Sequence, residues 1–283
     1  MTEPALPRGF VRLGSAAAEI IVDEAHADAV VGLGLLEPGG LVRALSGETR
    51  LSGRSAVALL AFGDGQTLCL RPLRRGGILA PLRRGGWPDL GRPLRELAVT
   101  AQLRLAGAPV PRPLVVAGAR RTDGRFDAAF GTRFEPGASD SLAALVAPHD
   151  ASFILRAARA AGSAVRRFHD CGGRHADLHV KNLLLRETAG EIEAIVIDLD
   201  RARIAAPVSP RARLAEIMRL WRSVVKRGIA ERVGARGRAE FLEAYTAGDR
   251  EFRRVLLAGL GFERLRLAVH SLHYRSGFDP RNR

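Results

Sequence analysis

The sequence predicts an α+β chain of two lobes, a small β-rich N-terminal lobe over residues 1–134 and a mainly helical C-terminal lobe over residues 135–283. Two observations carry this. Between Ser46 and Phe134 short apolar runs alternate with turn residues, and Asp64-Gly65 between two such runs is a hairpin signal. After the break at Glu135-Pro136-Gly137 the apolar spacing changes to that of helices.

In chain order, Ala18-Glu19-Ile20-Ile21-Val22 reads as a strand, and a helical stretch after it ends at Pro38-Gly39-Gly40; both pack onto the first lobe. Turns at Ser46-Gly47 and Ser52-Gly53 precede the hairpin formed by Ala56–Phe62 and Thr67–Arg71. Arg71, Arg74, Arg75, Arg83, Arg84, Arg92 and Arg95 then form a basic cluster, either a solvated face or a surface for a substrate with several negative charges. Leu94–Leu105 has helical apolar spacing, places Glu96 in its first turn and stops at Ala106-Gly107. Leu114–Ala117 and Ala128–Phe134 are strands separated by a turn at Arg121–Gly124. Leu142–Val146 opens the helical half, and Ala151–His169 is one long amphipathic helix. Further helices carry Leu214, Ile217, Met218, Leu220 and Trp221 on one side, then Phe241–Tyr245 and Phe252–Leu272, before a basic tail after Tyr274.

Composition bounds the function. A chain of 283 residues with 47% hydrophobic residues has material for a real core. Its two cysteines, Cys69 and Cys171, lack metal-ligand spacing and point to a reducing compartment. The first residues lack a secretory pattern, and no apolar run approaches the ~20 residues that span a bilayer, so a cytoplasmic protein is expected. The formal charge of +14 comes almost wholly from arginine, since Lys occurs only at 181 and 226. A genomic bias explains that excess at least as well as an anionic partner does. Aromatics at 5% argue against stacking platforms, and nucleic acid is not an expected partner.

The chemistry lies in His175–Asp198. Asp177 is followed by Asn182 five residues on and by Asp198 sixteen beyond that, the last closing a strand-like Ile195-Val196-Ile197. One carboxylate to orient an attacking hydroxyl and two oxygen ligands for Mg2+ are what phosphoryl transfer requires.

These residues follow the catalytic-loop and metal-loop pattern of a protein-kinase-like bilobal fold. The chain resembles more narrowly the 3-deoxy-D-manno-octulosonic acid (Kdo) kinases, within the wider lipopolysaccharide-kinase group. The resemblance rests on Leu70–Gly77, the Glu96 helix with Gly107–Pro113 behind it, His175-Ala176-Asp177-Leu178 with Asn182–Leu185, and Ile197-Asp198-Leu199-Asp200-Arg201. It implies Asp177 as catalytic base with His175 propping the loop, Asn182 and Asp198 as Mg2+ ligands, and ATP held by Arg71, Glu96, Gly53 and Thr132. Arg71 stands where protein kinases carry a lysine, and its implied partner is Glu96. As a residue, Glu96 reads equally well as an acid favoured in a helix first turn.

Other positions stay open. Asp200 is a second acidic contact near the metal or a partner for Arg201 or Arg203; His179 donates to a phosphate when protonated or caps the loop; Lys181 has no assigned role. Between Asp198 and Leu214 the only phosphorylatable side chain is Ser209, which leaves little room for an activation segment and favours a sugar or glycolipid acceptor over a protein. The expected function is ATP-dependent phosphorylation of a Kdo sugar of lipopolysaccharide inner core, with peripheral contact to the anionic cytoplasmic face of the inner membrane. The alternatives are a phosphotransferase for another small hydroxylated compound and a non-catalytic kinase-like binding module.

Overall fold

Short β-branched runs with alternating burial build a six-stranded antiparallel sheet in the N-terminal half. A computed structural model describes residues 5–47, 57–63, 65–73, 86–250 and 252–258. The elements of this half are β1 (Phe10–Gly14), β2 (Ala18–Asp23), α1 (Ala27–Val31), α2 (Gly40–Ser46), β3 (Ala58–Phe62), β4 (Gln66–Pro72), α3 (Gly91–Leu105), β5 (Pro113–Arg120) and β6 (Phe126–Arg133). The sheet order is β1-β2-β5-β6-β4-β3. One face, with Ile20, Val22, Leu68, Leu70 and Val115, packs with Leu35 and Leu41 of the α1–α2 segment. The other, with Ile21, Val116, Phe126 and Phe130, receives Leu94 and Leu97 of α3. Because side chains alternate along a strand, Leu70 and Arg71 leave β4 on opposite faces, and Arg71 emerges on the α3 side. Gly131 keeps the first face close: a Cβ there would meet Leu68 and Val115 side chains at 2.7 Å.

The C-terminal half contains β7 (Ala138–Asp140), α4 (Ser141–Val146), α5 (Ala151–Asp170), β8 (Gly173–Arg174), β9 (Leu183–Thr188), β10 (Glu191–Val196), β11 (Arg203–Ile204), α6 (Pro210–Lys226) and α7 (Ala230–Thr246). Its core joins Phe153, Val165 and Phe168 of α5 to Leu178, Val180 and Leu183, then to Ile217, Leu220 and Tyr245. Gly162 lets α5 lie against the backbone carbonyl of Phe241 on α7, where a Cβ would collide. β9 and β10 form a hairpin with Leu183 opposite Val196, which brings its two chain ends together.

Several expectations need correction. The helix after β2 ends at Val31, left-handed turns at Gly34 and Gly39 follow, and Gly40 starts α2 instead of ending a helix. β1, β7, β8 and β11 are strands of five residues or fewer whose pattern is too short to read. Pro93 near the start of α3 is compatible with a first helical turn, so the helix begins at Gly91 and Glu96 falls in its second turn. Residues 252–258 are helical; the rest of the expected Phe252–Leu272 helix, the basic tail, Gly53, Asp64 and the Arg74–Arg84 segment lie outside the described residues.

Candidate active site

A cleft of about 440 Å³ opens between the sheet and the helical half. Arg71, Glu96, Thr132, Asn182 and Asp198 all line it, with Cys69, His179 and Lys181. Its roof is built by β4 and β6, on which Cys69 and Thr132 are register partners. Its floor is the open end of the β9–β10 hairpin, where the Ile197 N–H donates to the Asn182 carbonyl at 3.0 Å.

Arg71 Nη2 donates to Glu96 Oε1 at 2.6 Å and lies 3.5 Å from Asp198 Oδ1. The Glu96 side chain is 4% exposed, and in the second turn of α3 it is no N-terminal dipole acid. The reading as partner of Arg71 is therefore the one the geometry supports. Burial pushes the Glu96 carboxyl up to about 7; Arg71 opposes the rise, while Asp198 and Asp200 add to it. Burial alone would lower the Arg71 pKa, but Glu96, Asp198 and Asp200 turn the balance upward.

His175 is fully buried and supports the loop from beneath. Its Nε2 bonds the Ile197 carbonyl at 2.9 Å, and its Nδ1 receives the Asp177 N–H at 3.4 Å, so one tautomer satisfies both. Ala176 has φ +63°, a left-handed conformation that turns the chain just before Asp177. Asp177 is half-buried and stands outside the cleft lining, joined to it through the Asn182 Nδ2, which donates to the Asp177 carbonyl at 3.1 Å. That bond commits the amide nitrogen of Asn182 and leaves Oδ1 as the atom able to coordinate a cation.

Asp198 also has φ +63°, tolerable for Asp, and its side chain is 43% exposed. Among the described residues no group of three or more His, Cys, Asp and Glu side chains has metal-binding geometry. What the cleft offers is one amide oxygen, Asn182, and one carboxylate, Asp198. That hard, sparse oxygen set suits Mg2+, which takes few protein ligands and completes its shell with phosphates and water.

The open positions resolve differently. Asp200 pairs with neither Arg201 nor Arg203: its Oδ2 accepts from Arg92 Nη2 of α3 at 3.1 Å. Arg92, which also lies over the Trp87 ring, is thus committed within the protein and drops out of the proposed substrate-facing basic cluster. His179 precedes the 3-10 turn Val180–Asn182 and makes no side-chain cap bond. Burial lowers its pKa below the usual value, which works against a protonated donor. Ser209 caps α6 by accepting the Ala212 N–H at 3.4 Å.

One residue escaped the sequence. Glu216 of α6, 3% exposed, accepts the Ala176 N–H at 2.8 Å and the His175 N–H at 3.1 Å, and also bonds His169 Nε2 at 3.1 Å. The signal was an acid four residues before Leu220 and eight before Val224, inside the buried stripe.

Comparison with known proteins agrees with this architecture. The family model described as the lipopolysaccharide kinase (Kdo/WaaP) family matches residues 44–245. A 3-deoxy-D-manno-octulosonic acid kinase of Xanthomonas campestris pv. campestris (strain B100) is 33% identical over 56% of this chain and 61% of its own length, so the chain spans just over three fifths of that relative. A protein of the same name from Xylella fastidiosa (strain M23) is 34% identical over 62% of this chain and 68% of its own. A solved structure of WaaP in complex with acyl carrier protein covers 81% of this chain and 91% of its own at TM-score 0.53 and 18% identity, which shows the kinase-like fold. With more than half of its length matched by the family model, the chain belongs to the lipopolysaccharide kinase (Kdo/WaaP) family.

Proposed function

We propose that the chain is an ATP-dependent kinase that phosphorylates a Kdo sugar hydroxyl of lipopolysaccharide inner core, with Kdo-lipid A as acceptor. The observation that carries this is the Arg71–Glu96 pair facing Asn182 and Asp198 in one cleft, next to the loop that bears Asp177. Family membership and relatives named Kdo kinases support the acceptor.

In this reading Glu96 orients Arg71 toward the nucleotide phosphates, and Cys69 and Thr132 sit over the nucleotide under β4 and β6. Gly53 is the residue to cover the phosphates. Asp177 orients the sugar hydroxyl, with His175 fixing its loop. Asn182 and Asp198 are the residues to hold Mg2+, which when bound supplies charge neutralisation across the phosphates. Since the transferred group has little bond order to either oxygen at the transition state, this positioning and neutralisation constitute most of the catalysis. The lobes divide at residues 134 and 135. Among the described residues no helix is long and apolar enough to cross a membrane, and the acceptor is reached by peripheral contact with an anionic inner-membrane surface on its cytoplasmic face.

Incubating the purified protein with Mg-ATP and Kdo-lipid A should yield phosphorylated lipid. Transfer only to other hydroxylated compounds would remove the Kdo acceptor, and biological activity undiminished in Asp177→Ala would leave a binding module instead of a kinase.

A further inference from the structure

Two arginines stand directly opposite each other beside the catalytic loop. β8 and β11 pair antiparallel, and Arg174 and Arg203 are register partners. Arg174 lies three residues before Asp177, and Arg203 five after Asp198. Opposed residues of an antiparallel pair share a face, with Cβ atoms about 4.5–5.5 Å apart, and like charges in that position repel. Both side chains are exposed, and among the described residues neither has a hydrogen-bond or ion-pair partner. Several other arginines do meet carboxylates: Arg112 meets Asp23, Arg213 meets Asp170, and Arg186 meets Glu135 and Glu193.

The mount under the pair is rigid. The Ala205 N–H donates to the Gly172 carbonyl at 2.7 Å, and Glu216 holds the His175 N–H next to Arg174. Neither Arg174 nor Arg203 has a role in the nucleotide cleft, whose lining omits both. A pair of uncompensated guanidinium forks on an anchored backbone is suited to a bidentate anion, carboxylate or phosphate, which turns their repulsion into two charge-assisted hydrogen bonds.

We propose that Arg174 and Arg203 form an anion subsite that holds a carboxylate or phosphate of the acceptor while its hydroxyl lies at Asp177. This rests on the kinase reading above and adds the chemical class of group that the acceptor must carry near its reacting hydroxyl.

The test has two arms, using wild type, Arg174→Gln, Arg203→Gln and the double variant. In the first, thermal unfolding is followed in sodium phosphate and in sodium chloride at equal ionic strength. Phosphate should raise the wild-type melting temperature above that in chloride by clearly more than it raises the double variant, whose nucleotide cleft still takes phosphate. In chloride the double variant should melt at or above wild type, because a repulsion has been removed; a purely structural pair would lower it. In the second arm, the KM for Kdo-lipid A should rise about tenfold in each single variant, the loss of a charged hydrogen bond, while the KM for ATP stays put. A phosphate shift equal in wild type and double variant overturns the subsite, and so does a phosphate shift lost without any change in acceptor KM. If wild type transfers nothing to Kdo-lipid A, the acceptor reading fails separately and the phosphate arm still decides whether the arginines hold an anion.

Discussion

Arg71 Nη2 reaches Glu96 Oε1 at 2.6 Å and stands 3.5 Å from Asp198 Oδ1, so a single guanidinium links β4, α3 and the loop that carries Asp198. A lysine supplies the charge but not the fork. Arg71→Lys should therefore lower kcat/KM for ATP about tenfold, equivalent to ~1.4 kcal/mol. Glu96→Gln should lower kcat/KM for ATP further, because Arg71 loses the charged partner that orients it, while stability near pH 7 changes little, since burial already favours the neutral carboxyl. Urea unfolding and ATP kinetics on the two variants check this. A wild-type kcat/KM in Glu96→Gln would show that the pair does not position Arg71.

How far these residues were legible depends on how local their signal is. Asp177, Asn182 and Asp198 lie within one short stretch whose spacing the β9–β10 hairpin preserves, so the order of residues already places them together. Arg71 and Glu96 are 25 residues apart and needed strand alternation plus a helix to meet; their pairing came from resemblance, and the position of Glu96 in α3 was misjudged by a turn. Glu216 was invisible because its partners are backbone N–H groups, which every residue carries. For Asp200 the sequence offers a contact near the metal or a pairing with Arg201 or Arg203, whereas its partner Arg92 lies 108 residues away. The strand at Phe10–Gly14 has two exposed positions, Arg12 and the closing Gly14, leaving too little periodicity to detect.

Glu216 makes a sharper prediction. Its carboxylate gathers two backbone N–H groups of the catalytic loop and one imidazole in a buried site. Glu216→Ala leaves those donors without an acceptor and should cost about 3 kcal/mol or more of unfolding free energy. Glu216→Gln keeps one acceptor oxygen and should lose less of both stability and activity. Denaturant unfolding measures the first and phosphoryl transfer the second. An alanine variant within 1 kcal/mol of wild type, about the size of one ordinary hydrogen bond, would mean the loop is held elsewhere.

Asp177→Asn tests the proposed role of Asp177 as the base that orients the acceptor hydroxyl. The substitution preserves size and the backbone bonds to His175 and Asn182, which use the Asp177 N–H and carbonyl. Loss of a positioned general base should lower kcat by ~10²–10⁴-fold. Nucleotide affinity, read by calorimetric titration with Mg-ATP, should stay close to wild type because Asp177 lies outside the cleft lining. Weakened ATP binding with unchanged kcat would reverse the assignment.

The last prediction concerns pH and the same buried network. His169 is fully buried, with Nε2 bonded to Glu216 Oε2 at 3.1 Å and Nδ1 to the Tyr245 hydroxyl at 2.7 Å. Burial lowers its pKa below the ordinary 6.5, against the pull of Glu216 and Asp170 and with help from Arg213. Above pH ~6.5 both folded and unfolded chains carry a neutral imidazole, and its contribution to stability is complete. As pH falls below that value the unfolded chain takes up the proton first, so stability declines by up to ~1.4 kcal/mol per pH unit until the folded pKa is reached. Glu216, whose pKa lies below its usual 4.5 through the His169, Ala176 and His175 hydrogen bonds in spite of burial, keeps its own contribution above that pH and loses it only in stronger acid. Glu96, whose carboxyl is raised to about 7, binds its proton first in the folded state and opposes this trend, so His169 is read as a difference: between pH 7.5 and 5.5 the urea midpoint should shift further downward in wild type than in His169→Gln, whose amide still donates to Glu216. Equal slopes in the two proteins would place the acid sensitivity in another group.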